Sequence, residues 1–492
     1  MPIDLELPES ERAAIARDPA VFIEDMHRYL GDSPDIVYRQ LRVGHFRSVV
    51  VFVEGMAEPR HVIEAMMESE GPLSDREEEG APADQLKFLE ERIIPFGQVA
   101  EVSSYPDAAA RLLAGDTIIY VEGAPLTLSV GTRHLKQRVV EEATSQSVVR
   151  GPREGFNESL RDNTALVRRR IQNPRLRMEQ RKIGEQTQTD VAVMYMEGIA
   201  DPEVLEELRK KLDEIKLDSV LEGNYIEEMI QDPQYSPFPT VYNSERPDVI
   251  ASALLEGRIA IFVEGTPFVL VVPALFAQFF QSSEDYYQRG DFASLVRLLR
   301  YLCFGIAILT PSVYIAITTF HQEMIPTNLL MSLIGQREGV PFPSFIEAVI
   351  MEITFEVLRE AGIRLPKSIG QSVSIVGTLV IGQAAVEAGL VSAAMVIVVS
   401  VTAIANFALP AFNVGISVRM LRFFLMGTAA SFGLYGIIIF MIVLGLHLCS
   451  LESLGVPYMT SMAPFRWSAQ KDTLMRLPRR AAKKFFERDG QS

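Results

Sequence analysis

Cysteine is nearly missing from this chain: 492 residues carry two, Cys303 and Cys449, both in apolar stretches. They read as small buried hydrophobes, and no disulfide framework can be built on them. The six histidines (His27, His45, His61, His134, His321 and His447) lack metal-ligand spacing, so no metal site is expected. A Gly-rich phosphate loop, HExxH and GxSxG are all absent, which leaves an enzyme the weakest reading and gives no reason to expect a cofactor. A net charge of −16 disfavours nucleic acid as a partner. The first residues, MPIDLELPESER, have neither a basic n-region nor an apolar h-region, so a cleaved signal is not expected and the N-terminal part should stay in the cytoplasm.

What the chain does have is a repeat. Residues 49–55 read VVVFVEG and residues 191–198 read VAVMYMEG; residues 118–123 read IIYVEG and residues 259–265 read IAIFVEG. Glu54 and Glu197 are 143 positions apart, and Glu122 and Glu264 are 142 apart. Two matches at one offset predict an internal duplication. Each copy continues into an acidic-Pro step and apolar residues at helical spacing: Val62, Ile63, Met66 and Met67, then Val204, Leu205, Leu208 and Leu212. The repeated Glu-Gly is read as a turn with the glutamate facing water in preference to a ligand site, because neither copy brings a His, Cys or Ser partner.

The fold class expected is an α/β tandem-repeat cytoplasmic domain followed by an all-α transmembrane domain. The proposed divisions are an N-terminal extension at 1–34, repeats at 35–145 and 189–288, a basic connecting helix and linker at 146–188, a membrane domain at 289–460 and a basic tail at 461–492. In the linker, Arg168, Arg169, Arg170, Arg175 and Arg177 are candidates for subunit contact or for anionic headgroups at the membrane, beside the plainer reading of a solvated connecting helix. Charge nearly vanishes over long runs between Tyr301 and Cys449. Candidate spans are 301–320, interrupted by Pro311, then 371–388, 391–408 and 421–448. The apolar stretch 262–280 is read as sheet, with its end, ALFAQFF, as an interfacial helix. Four spans put eleven basic residues inside against six outside, which the positive-inside rule favours.

One apolar segment is acidic. Residues 345–358, FIEAVIMEITFEVL, hold Glu347, Glu352 and Glu356. Glu352, Glu356 and Glu360 are spaced to share one helix face, with Glu347 off that stripe. Carboxylates in lipid are costly, so the helix either lines an aqueous path or lies at the surface. Glu347, Glu352 and Glu356 are therefore candidates for an ion path, with Gln383, Glu387 and Asn406 as second choices. Single polar residues of the latter kind also serve as contacts between helices.

RGPREGFNE (150–158), RRRIQNPRL (168–176), IGEQTQTDV (183–191), the run 323–392 and the ending LCSLESLGVPYM (448–459) resemble the A-subunit family of spore germination receptors, the GerA family. The resemblance covers roughly residues 35–465. It implies the inner membrane of a bacterial endospore, with the N-terminal domain and C-terminal tail on the core side. It also implies a transporter-like B-subunit and a lipoprotein C-subunit as partners. The A-subunit is then the homo-oligomeric part that releases monovalent cations. A related branch, the stage V sporulation A-subunit relatives, shares these motifs. Rings of acidic side chains favour cations, in accord with the acidic helix. A secondary transporter and a non-conducting membrane scaffold are the competing readings.

Overall fold

The structure is a computed structural model. It describes residues 15–476 apart from 44–45, 69–85, 88, 92–97, 134–142, 144–145, 147, 149, 233–234, 366–381, 461, 466–469 and 471. Part of the predicted span 371–388, and most of the basic tail, lie outside the described residues.

The duplication is present in the backbone. The first unit contains α1 (Pro19–Leu30), β1 (Ile36–Val43), β2 (Phe46–Val53), α2 (Arg60–Glu68), β3 (Val99–Val102), α3 (Tyr105–Leu113), β4 (Thr117–Val121) and β5 (Thr127–Val130). The second contains α4 (Leu160–Arg170), β6 (Leu176–Ile183), β7 (Thr189–Met196), α5 (Pro202–Glu214), α6 (Gly223–Ile230), β8 (Tyr242–Ser244), α7 (Pro247–Leu255), β9 (Ile259–Val263) and β10 (Val269–Val272). The sheets run β1-β2-β4-β5-β3 and β6-β7-β9-β10-β8, one order used twice and antiparallel throughout. The repeated glycines Gly55, Gly123, Gly198 and Gly265 all sit at φ between 78° and 90°, where a side chain would strain the turn.

The central strands read as unbroken apolar runs because both faces of each sheet are covered. Along β2, Val49, Val51 and Val53 pack with α1 and α3, while Val50 packs on the opposite face with Val62 and Met66 of α2. Along β9, Ala260 and Phe262 face α4 and α7, while Ile259, Ile261 and Val263 face α5 and α6. The acidic-Pro starts also hold: Asp201 caps α5 by accepting the Glu203 N–H, ahead of Pro202.

The segment 146–188, expected to be a basic connecting helix and linker, contributes a helix, α4, and also strand β6 to the second unit. Its charge misleads because β6 is an edge strand. Leu176, Met178 and Ile183 are buried, Gln180 and Lys182 are exposed, and Glu179 and Arg181 meet Arg209 of α5.

The apolar part is helical: α8 (Gly290–Phe320), α9 (Thr327–Arg337), α10 (Ser344–Arg364), α11 (Gly382–Glu387), α12 (Ala393–Phe407) and α13 (Phe412–Ser450). By length and composition, α8 and α13 could cross a membrane. Pro311 does not interrupt α8, which continues through it. α12, at 15 residues, is shorter than a standard span of about 20.

The expected single tilted crossing by 421–448 is replaced by a hairpin. α13 breaks at Gly433 (φ 62°, ψ −143°). A Cβ added at Gly436 would run into the Thr428 carbonyl, eight residues back. In a straight helix those residues would be about 12 Å apart along the axis. Both far ends return to one loop of the second unit: the Ser417 hydroxyl donates to the Pro237 carbonyl, and His447 Nε2 lies 2.9 Å from Ser236 Oγ. The turn itself abuts the end of α8, where a Cβ on Gly433 would lie 2.7 Å from the His321 ring.

The ALFAQFF end forms a 3-10 turn, Phe276–Phe280, and is not an interfacial helix. Phe276, Phe279 and Phe280 are buried among Tyr301, Phe304 and Tyr458. After α13, a two-residue ladder of β11 (Glu452–Ser453) and β12 (Val456–Pro457) places Leu454 in the core of the second unit.

Candidate functional site

The acidic helix α10 lies within the bundle, and arginines neutralise its buried side. Glu347 is fully buried. Its Oε2 accepts the Ser392 N–H (2.9 Å), and its Oε1 is 3.3 Å from Arg337 Nη2 on α9. Glu352 is 1% exposed and pairs at 2.7 Å with Arg422 of α13, itself 3% exposed. Glu356 contacts Arg359 (2.9 Å) and Arg419 of α13. Glu360 is exposed and pairs with Arg364 (2.6 Å).

These placements correct the grouping read from periodicity. Glu347 and Glu352 share the buried side, and the 352–356–360 stripe runs from the interior outward. A ring of carboxylates around a central path needs groups at the subunit surface. Glu347 and Glu352 are instead buried in ion pairs that hold α10 against α9 and α13. Breaking such a buried pair costs about 3–5 kcal/mol, because the remaining charge stays buried. The arginines lie up to 70 residues away in sequence, so helical spacing within α10 gave no sign of them.

The second-choice residues fall elsewhere. Gln383 and Glu387 are exposed on α11, and Gln383 donates to Glu387 Oε1 at 2.9 Å. Glu387 has no basic partner among the described residues. Asn406 is half-buried on α12 beside Gly415, where a Cβ would lie 3.5 Å from its side-chain amide. That placement sets its amide against α13.

The basic candidates separate in the same way. Arg168, on α4, is fully buried and clasps the two α/β units: Nε and Nη2 donate to Asp35 of the first unit at 2.5 and 3.0 Å, and Nη1 to the Leu176 carbonyl at 2.8 Å. Its guanidinium is therefore enclosed within the chain and does not form a subunit-contact surface. Arg170 pairs with Glu154 at 2.6 Å, with Arg169 3.8 Å from the same residue. Arg177 pairs with Glu197 at 2.6 Å and lies against Gly31 of the first unit, while Arg175 lies beside Gly198. The repeated glutamates also have partners: Glu54 with Arg161, Glu122 with Arg47, and Glu264 with the Leu160 N–H at the start of α4.

Apolar residues cover the outside of the bundle. Ile397, Val401 and Ile404 of α12 and Phe424, Phe432, Ile438, Ile442 and Leu446 of α13 are exposed. A patch of this extent marks a membrane or subunit interface. A tandem α/β unit packed directly on such a bundle is an architecture suited to membrane association.

The chain belongs to a family of spore germination proteins: the model described as Bacillus/Clostridium GerA spore germination protein matches residues 24–486. It is 46% identical over 474 residues to "Spore germination protein KA" of Bacillus subtilis (strain 168), covering 96% of this chain and 86% of that protein. Similarity to "Uncharacterized membrane protein YfkQ" of the same organism is 45% over 96% of this chain and 91% of that one. Similarity to "Spore germination protein GerLA" of Bacillus cereus is 39% over 93% and 92%. A crystal structure of the N-terminal domain of the A subunit of the Bacillus megaterium spore germinant receptor GerK3 aligns with 54% of this chain and 98% of that chain, at 36% identity and a TM-score of 0.44.

Proposed function

We propose that this chain is the A-subunit of a nutrient germinant receptor in the inner membrane of the endospore. As a homo-oligomer, it passes monovalent cations at the start of germination. A transporter-like B-subunit and a lipoprotein C-subunit complete the receptor, and the chain itself performs no catalysis. The α/β units and the tail lie on the core side. Packing of residues 472–476 beside the base of α8 supports one side for both: Ser294 Oγ accepts the Arg476 N–H at 2.9 Å, and the Arg476 guanidinium donates to the Gln288 carbonyl.

The observation that carries the reading is the sorting of charge in an apolar bundle. Inward carboxylates are neutralised by arginine, while Glu387, with Gln383, stands on the outside without a basic partner among the described residues. In a ring of copies, Glu387 and Gln383 supply the acidic and amide groups of the cation path, with half-exposed Glu356 at its edge. Glu347, Glu352 and Asn406 position the helices. Single-channel recording of the purified oligomer in planar bilayers tests this. Cation-selective current is expected, with selectivity over anions reduced several-fold by Glu387→Gln. Glu352→Gln should lower the thermal stability of the oligomer and leave selectivity unchanged. Absence of current, even after addition of partner subunits, would overturn the channel reading.

A further inference from the structure

Eight carboxyl residues are buried among the described residues, and six face an arginine: Asp35, Asp116, Asp248, Asp285, Glu347 and Glu352. Glu245 accepts the Gln146 N–H at 3.0 Å. Glu227, on α6, is 6% exposed and forms no salt bridge among the described residues. It has only neutral donors: Gln231 Nε2 at 3.1 Å and the side chain of Asn243. A buried carboxyl without a counter-charge is costly unless it is protonated or a cation joins it.

Glu227 lines a cavity of about 270 Å³ between the second α/β unit and the start of α13. The unit contributes Glu222, Asn224 and Asn243, and the other wall, formed by residues 410–413, contributes Asn413. Tyr242, Phe268, Phe279 and Phe412 supply aromatic surface. Among the described residues, no Lys or Arg lines the cavity. On neighbouring α5, Lys211 is turned to Asp232 at 2.5 Å and to the Ile230 carbonyl, and Arg209 is turned to Glu179 and Glu206. Carboxylates, amide groups and aromatic side chains around one cavity match a cation with an apolar body.

We infer that this cavity binds a small organic ammonium ion, with Glu227 as its counter-charge and the start of α13 as one wall. A bound ion touches the α/β unit and the hairpin together, so occupancy ties one to the other. Burial, with a further contribution from the nearby Glu222 charge, pushes the Glu227 carboxyl up to about 7. Protons therefore compete with the cation below that pH. The inference goes beyond the channel reading and does not rest on it, since binding is read whether or not current flows.

The test is calorimetric titration of the full chain in detergent with tetramethylammonium chloride and, separately, with potassium chloride, against sodium chloride of equal ionic strength. Saturable tetramethylammonium binding is expected at pH 8. It should be about tenfold weaker at pH 6, several-fold weaker in Asn413→Ala and absent from Glu227→Gln. Glu227→Gln preserves shape and removes an uncompensated charge, so it should fold, which circular dichroism and thermal melting check. Equal binding by Glu227→Gln would overturn the site, as would no saturable binding by the wild-type chain. Binding of potassium without tetramethylammonium would overturn the ligand class.

Discussion

The two α/β units share a strand order and a set of glycine turns, yet among the described residues it is the second that packs onto the helical bundle. Its 236–237 loop meets both ends of α13, its Phe276–Phe280 turn packs on α8, and Leu454 returns from beyond α13 into its core. The first unit is tied to the second at the buried Asp35–Arg168 pair and by the Met178 N–H donating to Ser33 Oγ at 3.2 Å. Duplication supplied two equal cores, and the interfaces made them unequal.

Three substitutions break or sharpen this contrast. Arg168→Ala has the largest expected effect. It leaves Asp35 buried and unpaired at a cost of about 3–5 kcal/mol, and it should release the first unit while the second stays on the bundle. Hydrogen exchange reads this as faster exchange confined to residues 35–130. Uniform acceleration across both units would contradict the contrast.

Glu227→Gln comes next, and its sign depends on pH. The folded-state carboxyl is raised to about 7 from an ordinary 4.5, so the wild type loses stability as pH rises from 4.5 to 7. Above that the penalty is complete, at roughly 3 kcal/mol. Glu227→Gln should therefore melt higher than wild type at pH 8 and alike at pH 4.5. A pH-independent difference would reject the assignment. Ser453→Ala is the smallest. It removes hydrogen bonds to the Thr240 carbonyl and from the Ala274 N–H, costing about 1 kcal/mol in a thermal melt, with the loss confined to the second unit.

Local features were legible in the sequence. The valine-rich strands and their glycine turns revealed the duplication because strand and turn chemistry is local. Strand β6 was hidden because LRMEQRKI, at a sheet edge, gives only Leu176, Met178 and Ile183 to the two cores and otherwise looks like a charged linker. The hairpin was hidden because apolar helical sequence continues on both sides of Gly433, and glycines in such a run, here Gly427, Gly433, Gly436 and Gly445, do not distinguish a bend from a reversal.

The sequence by itself determined the duplication, the apolar helices and the family, all of which rest on short-range spacing and long matched motifs. Tertiary structure alone decided which charges are free. Glu352 and Glu387 are both acids in apolar surroundings, yet one meets Arg422 at 2.7 Å and the other faces outward. Helical periodicity fixes the face a residue occupies, while the electrostatic role of that residue depends on what another helix brings against it.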